Sequence, residues 1–357
     1  MWAYYISLYK IVNRDWHAVI STWSNLRLRR SALGLFKLLD RREDMDNKIA
    51  VVAFGGNALH PEHQIGTIEE QEINASEASA AIIEIVRNGY ELVVVHGNGP
   101  QVGNVLIQVE RAADEVPPLP LYTCVACTQG SIGFMLTNSL RKECNKLGLN
   151  KEIATVMTTV VVNGNDPAFE KPTKPIGPFF NEEYAQRMAI ERNWQIVEDS
   201  GRGYRRVVPS PIPSDILEKK VIQQMVENHN IVIACGGGGI PVMFKDDEIK
   251  GVEAVIDKDY ASSLLAQEIG ADLYVILTGV PQVAINFGKP NMQYLDTITV
   301  NEAKKYMAEG QFPPGSMGPK IAAAIKFIEA GGKEVLVTSA SELGKALQRQ
   351  GGTYIVR

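Results

Sequence analysis

The chain has 357 residues, of which 45% are hydrophobic and 22% charged, and its net charge is −5. That length can bury a sizeable core as one large α/β domain or two smaller ones. The acid excess excludes a broad basic face for nucleic acid and a polybasic membrane patch, and no apolar run is long enough to span a bilayer.

The first 44 residues differ from the rest: they hold Trp2, Trp16 and Trp23 and a basic cluster of Arg27, Arg29, Arg30, Arg41 and Arg42. They read as an extension, residues 1–46, ahead of a start at Met45, with a single domain over 47–357. Their Ser/Arg content also resembles an organelle transit peptide. The reading adopted is a cytoplasmic enzyme with an extension.

From Lys48 onward, short Val- and Ile-rich runs predict strands over 49–54, 92–96, 154–162, 231–235, 273–278, 334–338 and 353–356. Each is composed like a strand buried on both faces. Helical patterns fall between them, over 68–88, 101–113, 128–147, 258–269 and 319–330. Gly89 suits a helix C-terminus and Pro319 a first helical turn. This alternation predicts an α/β fold with a mostly parallel sheet and helices on both sides. Cys124 and Cys127 have the spacing of a metal or redox pair. With no second pair and no nearby histidine they read as buried thiols on an apolar helix face.

One stretch, about 166–213, breaks the rhythm with seven prolines and many charges. It lacks a long buried strand, and Gly201-Arg202-Gly203 reads as a hairpin tip between 194–197 and 204–208. It is expected to be a small inserted lid over the site.

Three glycine loops each follow a short apolar run: Gly55-Gly56-Asn57, Gly97-Asn98-Gly99-Pro100, and Gly236 to Gly239. Glycines let the backbone approach a ligand with N–H groups turned toward it, and strand ends on one edge of a parallel sheet converge on one crevice. None has the P-loop or dinucleotide pattern. A tight turn alone would explain any one of them. The positive charge for an anion site has candidates in Lys174, Lys258 and Lys320. Lys258 stands between Asp257 and Asp259 at a helix start, and Lys320 opens another helix. Lys174 lies in a proline-stiffened stretch, whereas Lys333 reads as surface. Lysines and backbone N–H groups suit phosphoryl transfer, which needs positioning and charge neutralisation. His60, His63 and His96 have no Ser or Cys partner pattern, which argues against a triad hydrolase. His96 reads as near the site simply because it ends a strand.

Several short segments together resemble the carbamate kinases of the amino acid kinase family, from about Lys48 to the C-terminus. They are Gly55-Gly56-Asn57-Ala58, His96-Gly97-Asn98-Gly99-Pro100-Gln101-Val102-Gly103, Thr128-Gln129-Gly130-Ser131-Ile132-Gly133, Pro172-Thr173-Lys174-Pro175-Ile176-Gly177-Pro178, Ala234-Cys235-Gly236-Gly237-Gly238-Gly239-Ile240-Pro241-Val242, Ile256-Asp257-Lys258-Asp259 and Gly315-Ser316-Met317-Gly318-Pro319-Lys320.

The resemblance implies an open three-layer αβα sandwich, a homodimer, and Mg²⁺-dependent reversible transfer between ATP and carbamate, giving ADP and carbamoyl phosphate. It implies that Gly55, Gly56 and Asn57 hold the transferring phosphoryl group, with Gly236 and Gly237 forming part of the same wall. Gly97, Asn98 and Gly99 would hold carbamate. Lys174 would reach in from the lid, Lys258 would neutralise phosphate charge, and Asp259 would orient the lysines or contact the nucleotide. Lys320 would bind the β/γ-phosphate region, with Thr278, Gly279, Met317 and Gly318 near the nucleotide. No protein metal ligand is implied, Mg²⁺ being held mainly through the nucleotide phosphates. The family usually has an acidic residue near Pro281-Gln282-Val283-Ala284, so the adenine and ribose contacts stay open. Two other readings also stay open at this point: a kinase of the same fold with another small acceptor, and a non-catalytic nucleotide sensor.

Overall fold

Runs that are apolar at every position can be satisfied only in a sheet covered on both sides. The computed structural model, which describes residues 48–55, 59–61, 64–199 and 201–357, places them so. Residues 1–47, on which the extension reading falls, lie outside the described residues.

In chain order the elements are β1 (Ile49–Phe54), α1 (Ile68–Arg87), β2 (Glu91–His96), α2 (Gly99–Arg111), α3 (Leu121–Leu147), β3 (Ile153–Thr155), β4 (Thr159–Val162), β5 (Lys174–Phe180), α4 (Glu182–Arg192), β6 (Gln195–Glu198), β7 (Tyr204–Val208) and β8 (Pro213–Ile216). There follow α5 (Lys219–Glu227), β9 (Ile231–Ile233), β10 (Ile240–Lys245), β11 (Glu248–Gly251), α6 (Lys258–Glu268), β12 (Leu273–Leu277), β13 (Ala284–Ile285), β14 (Gln293–Tyr294), β15 (Thr297–Thr299), α7 (Val300–Ala308), α8 (Met317–Glu329), β16 (Glu334–Thr338), α9 (Leu343–Leu347) and β17 (Thr353–Val356).

The central sheet has the order β15-β17-β16-β12-β1-β2-β9-β3, parallel except where β17 runs against β16. Its two faces follow from the period-2 alternation of the strands. Val51 and Ala53 of β1 face a core shared with Ala261 and Leu265 of α6 and Ile321 and Ala324 of α8. Ala50, Val52 and Phe54 face the opposite core, with Ile82 of α1, Leu136 of α3 and Leu343 of α9. The expected three-layer αβα sandwich with a mostly parallel sheet is what the chain forms.

The stretch expected as one strand over 154–162 is two strands in different sheets, β3 in the central sheet and β4 in a four-stranded sheet ordered β11-β10-β4-β8. A side chain from another element meets the chain at the break. The buried side chain of Gln129 on α3 accepts from the Thr158 N–H at 2.9 Å and donates to the Thr158 carbonyl at 3.1 Å. A side-chain amide thus takes the Thr158 N–H and shares its carbonyl with the Ile240 N–H of β10, which donates to it at 2.8 Å. Helix α3 starts at Leu121 rather than at 128, directly after Pro120, so both cysteines of the pair lie on it. Cys124 is buried, but Cys127 is exposed, which corrects the reading of two buried thiols.

The proline-rich stretch carries a three-stranded sheet, β5-β7-β6, and helix α4. The Ile212 N–H donates to the Asp166 carboxylate at 2.9 Å, tying its two ends together. Its longest strand, β5, is buried only at Ile176 and Gly177, so the stretch holds no long buried strand, as expected. Pro175 and Pro178 fit there because β5 is an edge strand, where missing N–H groups break no ladder. Ile176 of β5 and Val208 of β7 pack in a third core cluster with Val102, Leu106 and Val125.

Candidate active site

The parallel strands deliver their C-terminal ends to one edge in register. Phe54 pairs with His96 on one side and with Leu277 on the other, so Gly55, Gly97 and Thr278 leave the sheet side by side. Strand β9 ends nearby, with the Ala234 N–H donating to the Val94 carbonyl at 2.9 Å. It stops at Ile233 because Cys235 adopts a left-handed conformation (φ 48°) that leads into a short 3₁₀ turn at Gly236–Gly238.

The glycine run is shaped by what surrounds it. A Cβ on Gly236 would lie 2.4 Å from His96 Nε2, one on Gly237 2.2 Å from Asn98 Nδ2, one on Gly238 2.1 Å from the Ile256 carbonyl oxygen, and one on Gly239 2.1 Å from a Val160 methyl. Gly237, Gly238 and Gly239 also have positive φ. Close approach on every side therefore demands glycine here, before any ligand is considered. The Gly238 and Gly239 N–H groups are committed to the carbonyls of Cys235 and Gly236, at 2.9 and 3.1 Å.

A second group of residues begins where Gly238 packs on Ile256. Asp257 caps α6, its Oδ1 accepting from the Asp259 N–H at 2.9 Å, and its Oδ2 binds Lys174 Nζ at 2.5 Å. Asp259, in the first turn of the same helix, binds Lys258 through Oδ1 and Lys320 Nζ through Oδ2, the latter at 3.0 Å. Lys320 stands in the first turn of α8, so two helix N-termini face each other across one carboxylate. Burial alone would raise the Asp259 carboxyl, but the Lys258 and Lys320 ammonium groups hold it well below the usual carboxylate range. Burial lowers the Lys258 ammonium despite the pull of Asp259. Asp257 is likewise pushed up by burial and brought below its ordinary value by Lys174.

The structure thus joins Lys174, Lys258, Asp259 and Lys320 through Asp257 into one chain of contacts. It places Gly237 against Asn98, Gly236 against His96 next to Gly97, and Gly99 facing the Pro175 carbonyl beside Lys174. Gly55 follows β1 at the same edge, whereas Gly56, Asn57 and His63 lie outside the described residues. Among the described residues no hydrogen bond links Thr278, Gly279 or Met317 to the ion-pair chain. The Thr278 N–H meets the Thr338 carbonyl at 2.9 Å, and the buried Gly318 gives its N–H to the Pro313 carbonyl at 2.9 Å. Two contributors had no role in the sequence reading. Gln129 donates to the Gly236 carbonyl at 3.0 Å, and Thr128 accepts from Asn98 Nδ2 at 2.9 Å. Both lie in the quoted Thr128-Gln129-Gly130 segment, which was the available signal.

A parallel αβα sheet whose strand ends carry glycine turns beside three clustered lysines can neutralise several anionic oxygens at once. The amino acid kinase family matches residues 48–339. The chain is 47% identical over 313 residues to the carbamate kinase of Thermococcus kodakarensis, covering 87% of this chain and 99% of that protein. It is 50% identical over 299 residues to carbamate kinase 1 of Enterococcus faecium, covering 83% and 95%. It superposes on carbamate kinase from Giardia lamblia bound to AMP-PNP with a TM-score of 0.80 at 40% identity, and on that enzyme bound to citric acid with 0.83 at 39%. Each match covers 87% of this chain and 99% of the other. The chain belongs to the amino acid kinase family, in its carbamate kinase branch.

Proposed function

We propose that the chain catalyses reversible, in-line phosphoryl transfer between ATP and carbamate. The observation that carries this reading is the Lys258–Asp259–Lys320 cluster built on a buried carboxylate, in a chain nearly half identical to carbamate kinases over their whole length. A carbamate oxygen forms a bond to the γ-phosphorus as the bond to the ADP oxygen breaks, and the lysines hold the charge spread over the equatorial oxygens. Lys258 and Lys320 are assigned to the phosphates, Asp259 to orienting both, and Lys174 to reaching in from the 166–213 lid. Gly55, Gly56, Asn57, Gly236 and Gly237 are assigned to the phosphoryl group, Gly97, Asn98 and Gly99 to carbamate, and Thr278, Gly279, Met317 and Gly318 to the nucleotide.

Mg²⁺ fits this site through the nucleotide. Asp257 and Asp259 are already engaged by lysines, and no group of three or more His, Cys, Asp or Glu residues suited to a metal is found among the described residues. When bound, the ion would neutralise phosphate charge. The physiological direction we assign is ATP formation in arginine breakdown, in the cytoplasm.

Mixing the protein with carbamoyl phosphate, ADP and Mg²⁺ should give ATP; its absence would sink the reading. Lys258→Ala and Lys320→Ala should each lower kcat by roughly 10²-fold, as for loss of one preorganised charge-stabilising group. Unchanged turnover in either variant removes that lysine from the mechanism.

We also propose a homodimer. Gly133 of α3 sits so close to Thr155 of β3 that a Cβ would lie 2.5 Å from its methyl, which presses the helix onto the edge of the sheet. The neighbouring Phe134 is 65% exposed and Met157 49%, an apolar edge suited to a second copy. Phe134→Glu should convert dimer to monomer in light scattering, and an unchanged mass would place the interface elsewhere.

A further inference from the structure

His96 ends β2 with no exposed surface, although a strand end in an apolar sheet is ordinarily filled by an aliphatic or aromatic side chain. Its Nδ1 lies 3.0 Å from the Gly97 carbonyl oxygen. A carbonyl only accepts, so Nδ1 carries the proton and Nε2 presents a bare lone pair. That Nε2 is buried and has no hydrogen-bond partner among the described residues. It abuts Gly236 closely enough that any side chain there would collide with it, and Gln129 holds the Gly236 carbonyl at 3.0 Å.

An orphaned buried acceptor is destabilising, a cost that a phenylalanine of similar shape would avoid. Stability alone therefore argues against an imidazole at this position. What the imidazole adds is one directional bond to the peptide that opens the second glycine loop, and a rigid flat edge against the third. Burial lowers its pKa to about 4, so the ring stays neutral and keeps that donor on Nδ1.

We infer that His96 is a positioning residue for the reaction: through Nδ1–H it fixes the Gly97 peptide, and through its Nε2 edge it sets the spacing between the Gly97 loop and the Gly236 loop. It touches no substrate. Its effect reaches the acceptor end of the site through Gly97 and Asn98, and Asn98 in turn meets Gly237. The nucleotide end, built on α6 and α8, is held by other contacts.

The kinetic part of the test rests on the carbamate kinase reading, and the spectroscopic part does not. His96→Phe keeps ring volume and removes both nitrogens. It should raise KM for carbamoyl phosphate about tenfold while KM for ADP stays within about twofold, the loss expected for one buried hydrogen bond. His96→Asn, whose amide can take the Nδ1–H position, should bring KM back to within about threefold of the parent. Equal changes in both KM values, normal kinetics in His96→Phe, or no difference between Phe and Asn would each overturn the inference. If His96→Phe does not fold, the comparison of His96→Asn with the parent decides the kinetic arm: a KM that departs for ADP as much as for carbamoyl phosphate is the overturning result. Independently, long-range ¹H–¹⁵N spectra of the histidine-labelled full chain at neutral pH should show a neutral Nδ1–H tautomer for His96. An Nε2–H tautomer or a charged ring overturns the assignment whether or not the protein makes ATP.

Discussion

Asp259→Asn is expected to lower kcat by about 10³-fold and to destabilise the folded chain by about 3 kcal/mol. The substitution keeps shape and removes one charge, and that charge is the link between two lysines from different helices. Lys258 has its side chain 10% exposed and Lys320 17%, so neither ammonium can recover full hydration when its partner is neutralised. Removing one member of a buried ion pair leaves an uncompensated charge, which is the expensive outcome, whereas the intact pair contributes little by itself. The kinetic loss exceeds that of either lysine-to-alanine change because both cations lose their orientation together. The pH dependence has a definite sign. The folded-state pKa of Asp259 lies below its unfolded value, so its contribution is complete above the unfolded value and is lost as pH falls toward the folded one. Urea unfolding of the parent should weaken through the acid range, and the Asn variant should weaken less over the same interval. Parental turnover in a folded Asn variant would show that Asp259 orients nothing needed for transfer.

How far the sequence discloses such a cluster depends on which interactions are local. Strands β1, β16 and β17 fall where their composition places them, because a short run dominated by Val, Ile and Leu has a doubly covered sheet to enter. Lys258 and Lys320 are legible as site candidates because helix starts are local signals. The bond from Lys320 to Asp259 is not, since it spans 61 residues, and the one from Lys174 to Asp257 spans 83. The division of 154–162 was hidden for the same reason: the Gln129 amide that interrupts it comes from 29 residues away. The glycine run was legible as a place of close approach, but its partners were not. His96 and Asn98, Ile256, and Val160 come from three other segments, and they account for all four glycines through packing. A ligand-binding role for Gly236 and Gly237 thus has to be added to a structural requirement already present, and it does not follow from the glycines alone. The inserted stretch concealed its strand because proline is read as a breaker, and only the edge position of β5 makes two prolines compatible with pairing.

Gly103→Ala is expected to lower kcat/KM for carbamoyl phosphate by about 10²-fold while costing about 1–3 kcal/mol of stability. A single methyl acts this strongly because of where it would go. A Cβ at Gly103 would stand 2.0 Å from the Gly177 Cα and 2.1 Å from its nitrogen, so helix α2 and strand β5 touch through bare backbone. Backbone cannot rotate away as a flexible side chain would, so one element has to shift. Gly177 is itself constrained: its φ is +73°, and its carbonyl accepts from the buried Arg205 guanidinium at 2.8 Å. Arg205 is in turn held by Asp199 at 3.4 Å. The displacement therefore passes along β5, whose first residue is Lys174, and draws its ammonium away from Asp257. It also disturbs α2, whose first residue is Gly99. Both ends of the proposed carbamate site then move apart, while α6 and α8 keep Lys258, Asp259 and Lys320 in place. The expected signature is selective, with nucleotide affinity near parental in calorimetry and the use of carbamoyl phosphate lost. Parental kcat/KM in Gly103→Ala would mean that β5 yields without carrying Lys174 with it, and that the inserted segment is not coupled to the site through this contact.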